Sequence, residues 1–126
     1  MSYWNNKSTD FESLVGMTFV KITGDEGSDR IVFVRDDGVE FVMYHHQDCC
    51  ENVYVESIVG DLHDLLDSPI VRAEEATNDD ESAYECGMWT FYKLATKNGY
   101  VDIRWYGSSN GYYGVGVSFE EVVNDE

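Results

Sequence analysis

The sequence predicts an α+β fold, mainly an antiparallel β-sheet of hairpins with two short helices. Three observations carry that expectation. Asp37-Gly38 and Asn98-Gly99 each stand between runs rich in β-branched and aromatic residues, the pattern of a tight hairpin. Further runs of the same kind, such as "MTFVKITG" and "NVYVESI", end in glycine, acidic or polar stretches and read as additional strands. Only two segments, 9–16 and 60–69, carry helix signals, and both are short.

Taken in order, residues 1–9 read as a flexible polar tail and 10–126 as a single globular domain. Thr9 and Glu12 have capping-box spacing, and Phe11, Leu14 and Val15 supply an apolar stripe for one or two turns that stop at Gly16. Residues 17–24 form a first strand and 25–28 an acidic loop. Strands 29–36 and 39–46 pair through a type I′ turn at Asp37-Gly38, with Arg35 opposite Glu40 and Val34 opposite Phe41. Residues 52–58 form a strand, "GDLHDLLDSP" a short helix ended by Pro69, 70–77 a strand and 78–87 an acidic loop. The Asn98-Gly99 hairpin and a closing strand over 114–123 complete the domain.

The 126 residues, 43% of them hydrophobic, suffice for one core. No apolar run is long enough to span a membrane and "MSYWNNKSTD" lacks signal-peptide layout, so a cytoplasmic protein is expected. Three cysteines, two of them the neighbours Cys49 and Cys50, read as reduced thiols rather than a disulfide framework. A net charge of -17 argues against direct nucleic-acid binding, because affinity for phosphates comes from Lys and Arg. Most of that charge serves solubility, and it also permits carboxylates to imitate a phosphate backbone in a basic groove.

Against this background, "WTFYKLATKNGYVDIRWYGSSNGYY" is distinctive, because it holds three of the eight basic residues among many aromatic ones. With Asn98-Gly99 as the turn, Lys97 faces Tyr100, Ala95 faces Asp102 and Lys93 faces Arg104. Thr90, Tyr92, Leu94, Thr96, Val101, Ile103 and Trp105 then share the core face. Trp89, Phe91, Lys93, Lys97, Tyr100, Asp102, Arg104 and Tyr106 share the other. Two cations placed opposite each other call for an anion. Rings beside Arg and Lys suit a nucleotide-derived molecule, with Trp89, Phe91 or Tyr106 stacking on a base and Lys93 and Arg104 on phosphate. Ser109, Asn110 and Tyr112, in a loop with glycines at 107, 111 and 114, add hydrogen-bonding groups. The alternative is structural: Asp102 or a carboxylate from another strand neutralises the cations, and the rings pack as ordinary strand residues.

Other constellations carry less. His45, His46, Asp48, Cys49 and Cys50 are competent zinc ligands, but strand neighbours point to opposite faces and no C-x-x-C or H-x-x-x-H pair occurs, so no metal and no cofactor is expected. The acidic loop 78–81 lacks EF-hand spacing. Asp61, Asp64 and Asp67 recur around the second short helix, Asp61 being placed well for its N-terminal dipole. No P-loop, dinucleotide fingerprint or nucleophile elbow is present, and a non-enzymatic protein is expected.

The stretches "MYHHQDCCENVYVESIVGDLHDLL", "SPIVRAEEAT", "WTFYKLAT" and "VDIRWYGSSNGYY" resemble a family of small acidic proteins of bacteriophages and prophages described only as a domain of unknown function. The resemblance covers about residues 12 to 120 and implies a phage accessory protein acting in the host cytoplasm. Such proteins often block host defence, either by sequestering a nucleotide signal, as sponge proteins of the Thoeris anti-defence type do, or by binding a defence protein. The expected partner is thus a nucleotide-derived small molecule or, alternatively, a basic host protein inhibited by nucleic-acid mimicry. The chain acts alone or as a small homo-oligomer.

Overall fold

The structure, a computed structural model, describes residues 6–47, 50–80, 86–109 and 114–123. Among the described residues there are nine strands: β1 (Lys7–Ser8), β2 (Phe19–Thr23), β3 (Arg30–Arg35), β4 (Glu40–Tyr44), β5 (Asn52–Val59), β6 (Arg72–Asp79), β7 (Cys86–Thr96), β8 (Gly99–Ser109) and β9 (Ser118–Glu121). They make two antiparallel sheets, of order β1-β9-β4-β3-β2 and β5-β8-β7-β6. One core fills the space between their inner faces.

The expected α+β class gives way to mainly antiparallel β: among the described residues there is no α-helix, only 3-10 turns at Phe11–Leu14 and Leu62–Leu65. Four residues each cannot nucleate a stable α-helix, and both turns hold through caps and burial instead. Asp10, not Thr9, caps the first by accepting from the Glu12 amide. Thr9 is engaged elsewhere. Its amide donates to the Phe119 carbonyl, and its hydroxyl accepts from the Glu121 amide. Lys7 and Ser8 of the expected tail pair with Glu121 and Glu120 as an edge strand. Asp61 caps the second turn, accepting from the His63 amide, which holds its carboxyl below the ordinary value.

Both tight hairpins form, each with a corrected register. In the first, Val34 faces Glu40 and Phe33 faces Phe41, one residue from expectation. The hydrophobic pattern explains it, because this pairing brings Ile31, Phe33, Phe41 and Met43 to the same core face. The loop is three residues rather than a type I′ turn. Gly38 alone takes positive φ (92°), and Arg35 and Val39 close the loop. Arg35 pairs with Asp37 at 2.8 Å rather than with Glu40.

In the second hairpin Thr96 faces Gly99, so Lys97 and Asn98 make the turn and partners lie two positions from the expected ones. Tertiary contacts fix that choice. Thr96 Oγ1 donates to the Asp64 carbonyl and accepts from the Asn98 amide, and Asn98 Nδ2 donates to Ser68 Oγ. A Cβ at Gly99 would meet Asp64 Oδ2 at 3.0 Å, so glycine is needed for close approach. A two-residue shift preserves alternation, and the expected core face is the observed one: Thr90, Tyr92, Leu94, Thr96, Val101, Ile103 and Trp105 are all buried.

Aromatic edges and faces tie the sheets together. Phe119 stacks on Phe41 (5.6 Å) and meets Phe11 and Phe33 edge-on, and Phe11 packs on Tyr92 (4.7 Å). Trp105 on β8 donates its indole N–H to Met43 Sδ on β4 across the core (3.1 Å). Tyr92 buries its hydroxyl beside the Glu75 carboxylate without a hydrogen bond of ordinary geometry, and burial, reinforced by that charge, pushes its pKa up.

Two consequences are measurable. Hydrogen bonds from Arg35 and the Val39 amide lower the Asp37 carboxyl to about 2, so its contribution to stability is complete above the ordinary carboxylate range and is lost as pH falls through about 2. Carbon-detected NMR titration should give that midpoint in the wild type and a higher one in Arg35→Ala. Tyr92→Phe removes a buried hydroxyl that lacks a partner, so thermal denaturation should show stability unchanged or raised by about 1 kcal/mol.

Candidate functional site

The outer face of the four-stranded sheet is built in cross-strand rows. Tyr54 on β5, Tyr106 on β8, Trp89 on β7 and Asn78 on β6 form one row. The next holds Ser57, Arg104, Phe91 and Ala76, and the third Val59, Asp102, Lys93 and Glu74. None of these residues is buried. Strand alternation sends them outward, because their neighbours Val53, Val55, Tyr92, Ile103 and Trp105 face the core, and on β5 a bulge resets that alternation for Ser57 and Val59.

β5 carries a bulge at Glu56: Val55 pairs with Trp105 and Ser57 with Arg104, leaving Glu56 as the extra residue. That residue reaches Arg104, whose Nε donates to Glu56 Oε2 at 2.6 Å. The guanidinium carbon lies 5.0 Å from the Trp89 ring centroid, so Arg104 is held between a carboxylate and an indole face. Trp89 in turn packs on Tyr106 (4.4 Å), and Tyr54 meets Tyr106 edge-on (6.4 Å). The Tyr106 hydroxyl donates to Asp80 Oδ2 (2.7 Å).

Of the residues expected at the site, Trp89, Phe91, Lys93, Arg104 and Tyr106 do share this face, and Ser109 ends β8 beyond it. Asn110 and Tyr112 lie outside the described residues, as do Asp48 and Cys49. The like-charge pair is not there. Lys93 stands opposite Asp102 and Glu74, and Arg104 opposite Phe91, so the anion that the two cations seemed to require is supplied by the protein itself. On the face as a whole Arg72, Lys93 and Arg104 stand among Glu56, Glu74, Asp80 and Asp102, with Arg72 bound to Glu74. A shallow depression of about 320 Å³ opens beside Arg104, lined by Ser57, Val59, Phe91, Lys93 and Asp102.

Sequence reasoning missed Glu56, Tyr54 and Asp80. A signal for Glu56 was present: in "VYVESI" the alternation of apolar and polar residues slips at Glu56-Ser57, as a bulge requires. The paired histidines belong to a different structure. His45, nearly buried, bridges the Gly116 carbonyl (2.6 Å) and buried Glu51 (2.8 Å), while His46 meets Glu120 (2.6 Å) and Tyr44. Both act as clasps on the end of β4. Among the described residues no three His, Cys, Asp or Glu side chains gather as metal ligands.

No curated protein and no solved structure matches the chain. The profile of one family matches residues 12–119, from the first 3-10 turn to β9, and so takes in both sheets and the aromatic face. The chain belongs to the family described as a domain of unknown function, DUF7448.

Proposed function

We propose that this chain is a non-enzymatic binding protein whose aromatic outer face docks a basic protein partner. The observation that carries this reading is the Glu56–Arg104–Trp89 arrangement: the central cation is neutralised and stacked within the face itself. An anionic ligand would have to compete with Glu56 and approach a chain of net charge -17, whereas a cationic surface meets carboxylates at the rim and rings at the centre. Aromatic residues and Arg at the centre with a polar rim are also the composition of protein interfaces. On this reading the partner is a host defence or nucleic-acid-processing protein whose basic groove the acidic chain occupies, the kind of partner that the resemblance to phage accessory proteins suggests.

One observation favours a second reading. Among the described residues the only side-chain hydrogen bond of Arg104 is through Nε, so its Nη edge is available to an oxyanion at the depression beside Phe91 and Lys93. On this reading the face sequesters a nucleotide-derived signal.

Capture from bacterial lysate on immobilised protein separates the two. Basic proteins should be retained by the wild type, eluted by salt and lost with Trp89→Ala, while nucleotides, cyclic dinucleotides and adenosine diphosphate ribose leave the melting temperature unchanged. A nucleotide-dependent rise in melting temperature that disappears in Arg104→Ala would replace the first reading with the second. Because Arg104 and Glu56 are both partly exposed, a double-mutant cycle between them should give a coupling below about 1 kcal/mol, so Arg104→Ala tests binding on a folded protein.

A further inference from the structure

We infer that the free edge of β6 is a strand-addition site for an extended, lysine- or arginine-bearing segment of the partner, an inference that rests on the basic-partner reading. Hydrogen-bond parity decides which backbone groups of β6 face outward. The Asp80 amide donates to the Gly87 carbonyl in register with the β6–β7 ladder, so Asn78, Ala76 and Glu74 direct their backbone groups to β7. Ala73, Glu75, Thr77 and Asp79 direct theirs outward; Ala73 is buried where the first 3-10 turn packs against the start of β6, whereas Glu75, Thr77 and Asp79 are exposed. Among the described residues, no hydrogen bond engages those outward groups.

The other edges are treated differently. On β5 the Val55 carbonyl accepts from Gly27 (2.7 Å), its amide donates to Ser28 (2.9 Å), and the Ile58 amide is capped by Glu26 Oε2 (2.9 Å). On β2, residues 66–69 bridge to Thr18 and Phe19, and the Phe19 carbonyl accepts from Asp67. β1 has two residues. β6 has eight, of which Glu74–Asp79 are exposed beyond the buried Ala73, and an open edge of that length is a template for another strand unless charge or proline blocks it.

Charge selects the occupant. A depression of about 320 Å³ straddles the β6 edge, with Phe91 and Ala76 lining it beside Glu12, Glu74 and Glu75, three carboxylates against the single cation Lys93. Glu75 points to the core side, where it sits by Tyr92, and a second copy of the strand centred there would place Glu75 against Glu75. A segment with cations at alternate positions meets these carboxylates instead, its aliphatic stems lying on Phe91 and Ala76. Strand addition then supplies main-chain hydrogen bonds, and the acids supply selectivity.

The test uses a fluorescent eight-residue peptide of alternating threonine and lysine, and the same peptide N-methylated at alternate residues. Fluorescence anisotropy on the full chain should show binding of the first and at least tenfold weaker binding of the second, because methylation removes amide donors while keeping every charge. Hydrogen exchange should slow at the amides of Glu75, Thr77 and Asp79 on binding. Thr77→Pro, which removes an outward amide and no ladder bond, should weaken the peptide at least tenfold while near-ultraviolet circular dichroism stays native. Equal binding of the two peptides, no binding of either, or protection elsewhere would overturn the inference. Capture of basic proteins undiminished in Thr77→Pro but lost in Trp89→Ala would overturn the edge site and leave the basic-partner reading standing.

Discussion

The pairing of β7 with β8 is the constraint on which the rest depends. Eleven residues on each side alternate between core and surface, and β5 and β6 attach to the two flanks of that hairpin. Its inner half supplies Tyr92, Leu94, Val101, Ile103 and Trp105 to the core, where Trp105 reaches Met43 and Tyr92 meets Phe11. Its outer half supplies Trp89, Phe91, Lys93, Asp102, Arg104 and Tyr106. One ladder thus sets both the packing of the sheets and the chemistry of the exposed face, and a slip of one residue would exchange them.

The electrostatics of the face follow from the same ladder and from one extra residue. Register places Lys93 between Asp102 and Glu74, and the β5 bulge delivers Glu56 to Arg104. Few basic residues sit in this strongly acidic chain, and those on the face are balanced where they stand. What the face presents outward is a row of rings in an acidic surround. Such a surface is better matched to the proposed cationic protein surface than to a phosphate-bearing small molecule, since field and contacts then act in the same direction.

Much of this was legible in the sequence because it depends on local pattern. Alternation in "WTFYKLAT" and "YVDIRWY" identifies the faces without any knowledge of register, and Asp37-Gly38 and Asn98-Gly99 identify the hairpins. Register was not legible, because it is decided at a distance. The Asp64 carbonyl and Ser68 hydroxyl, some thirty residues upstream, hold the second turn at Lys97-Asn98. In the first hairpin the need to bring Phe33 and Phe41 to one core outweighs the local preference of Asp-Gly for a two-residue turn. The helix signals at 9–16 and 60–69 fall on segments too short for an α-helix, so each closes as a single 3-10 turn, the first capped by Asp10 in place of the expected Thr9 and the second by Asp61. Asp80, which receives the Tyr106 hydroxyl, lies in a segment that composition alone marks as solvated loop.

The central claim is that the β7–β8 register neutralises the cations within the face, and through-space proton NMR reads that register directly. Antiparallel strands bring α-protons into close contact at pairs that are not hydrogen-bonded, here Phe91 with Arg104 and Lys93 with Asp102. Strong α-proton cross-peaks at those two pairs are the predicted result. Cross-peaks joining Tyr92 to Trp105 and Leu94 to Ile103 would instead place Lys93 against Arg104, restore an unbalanced positive face and contradict the account.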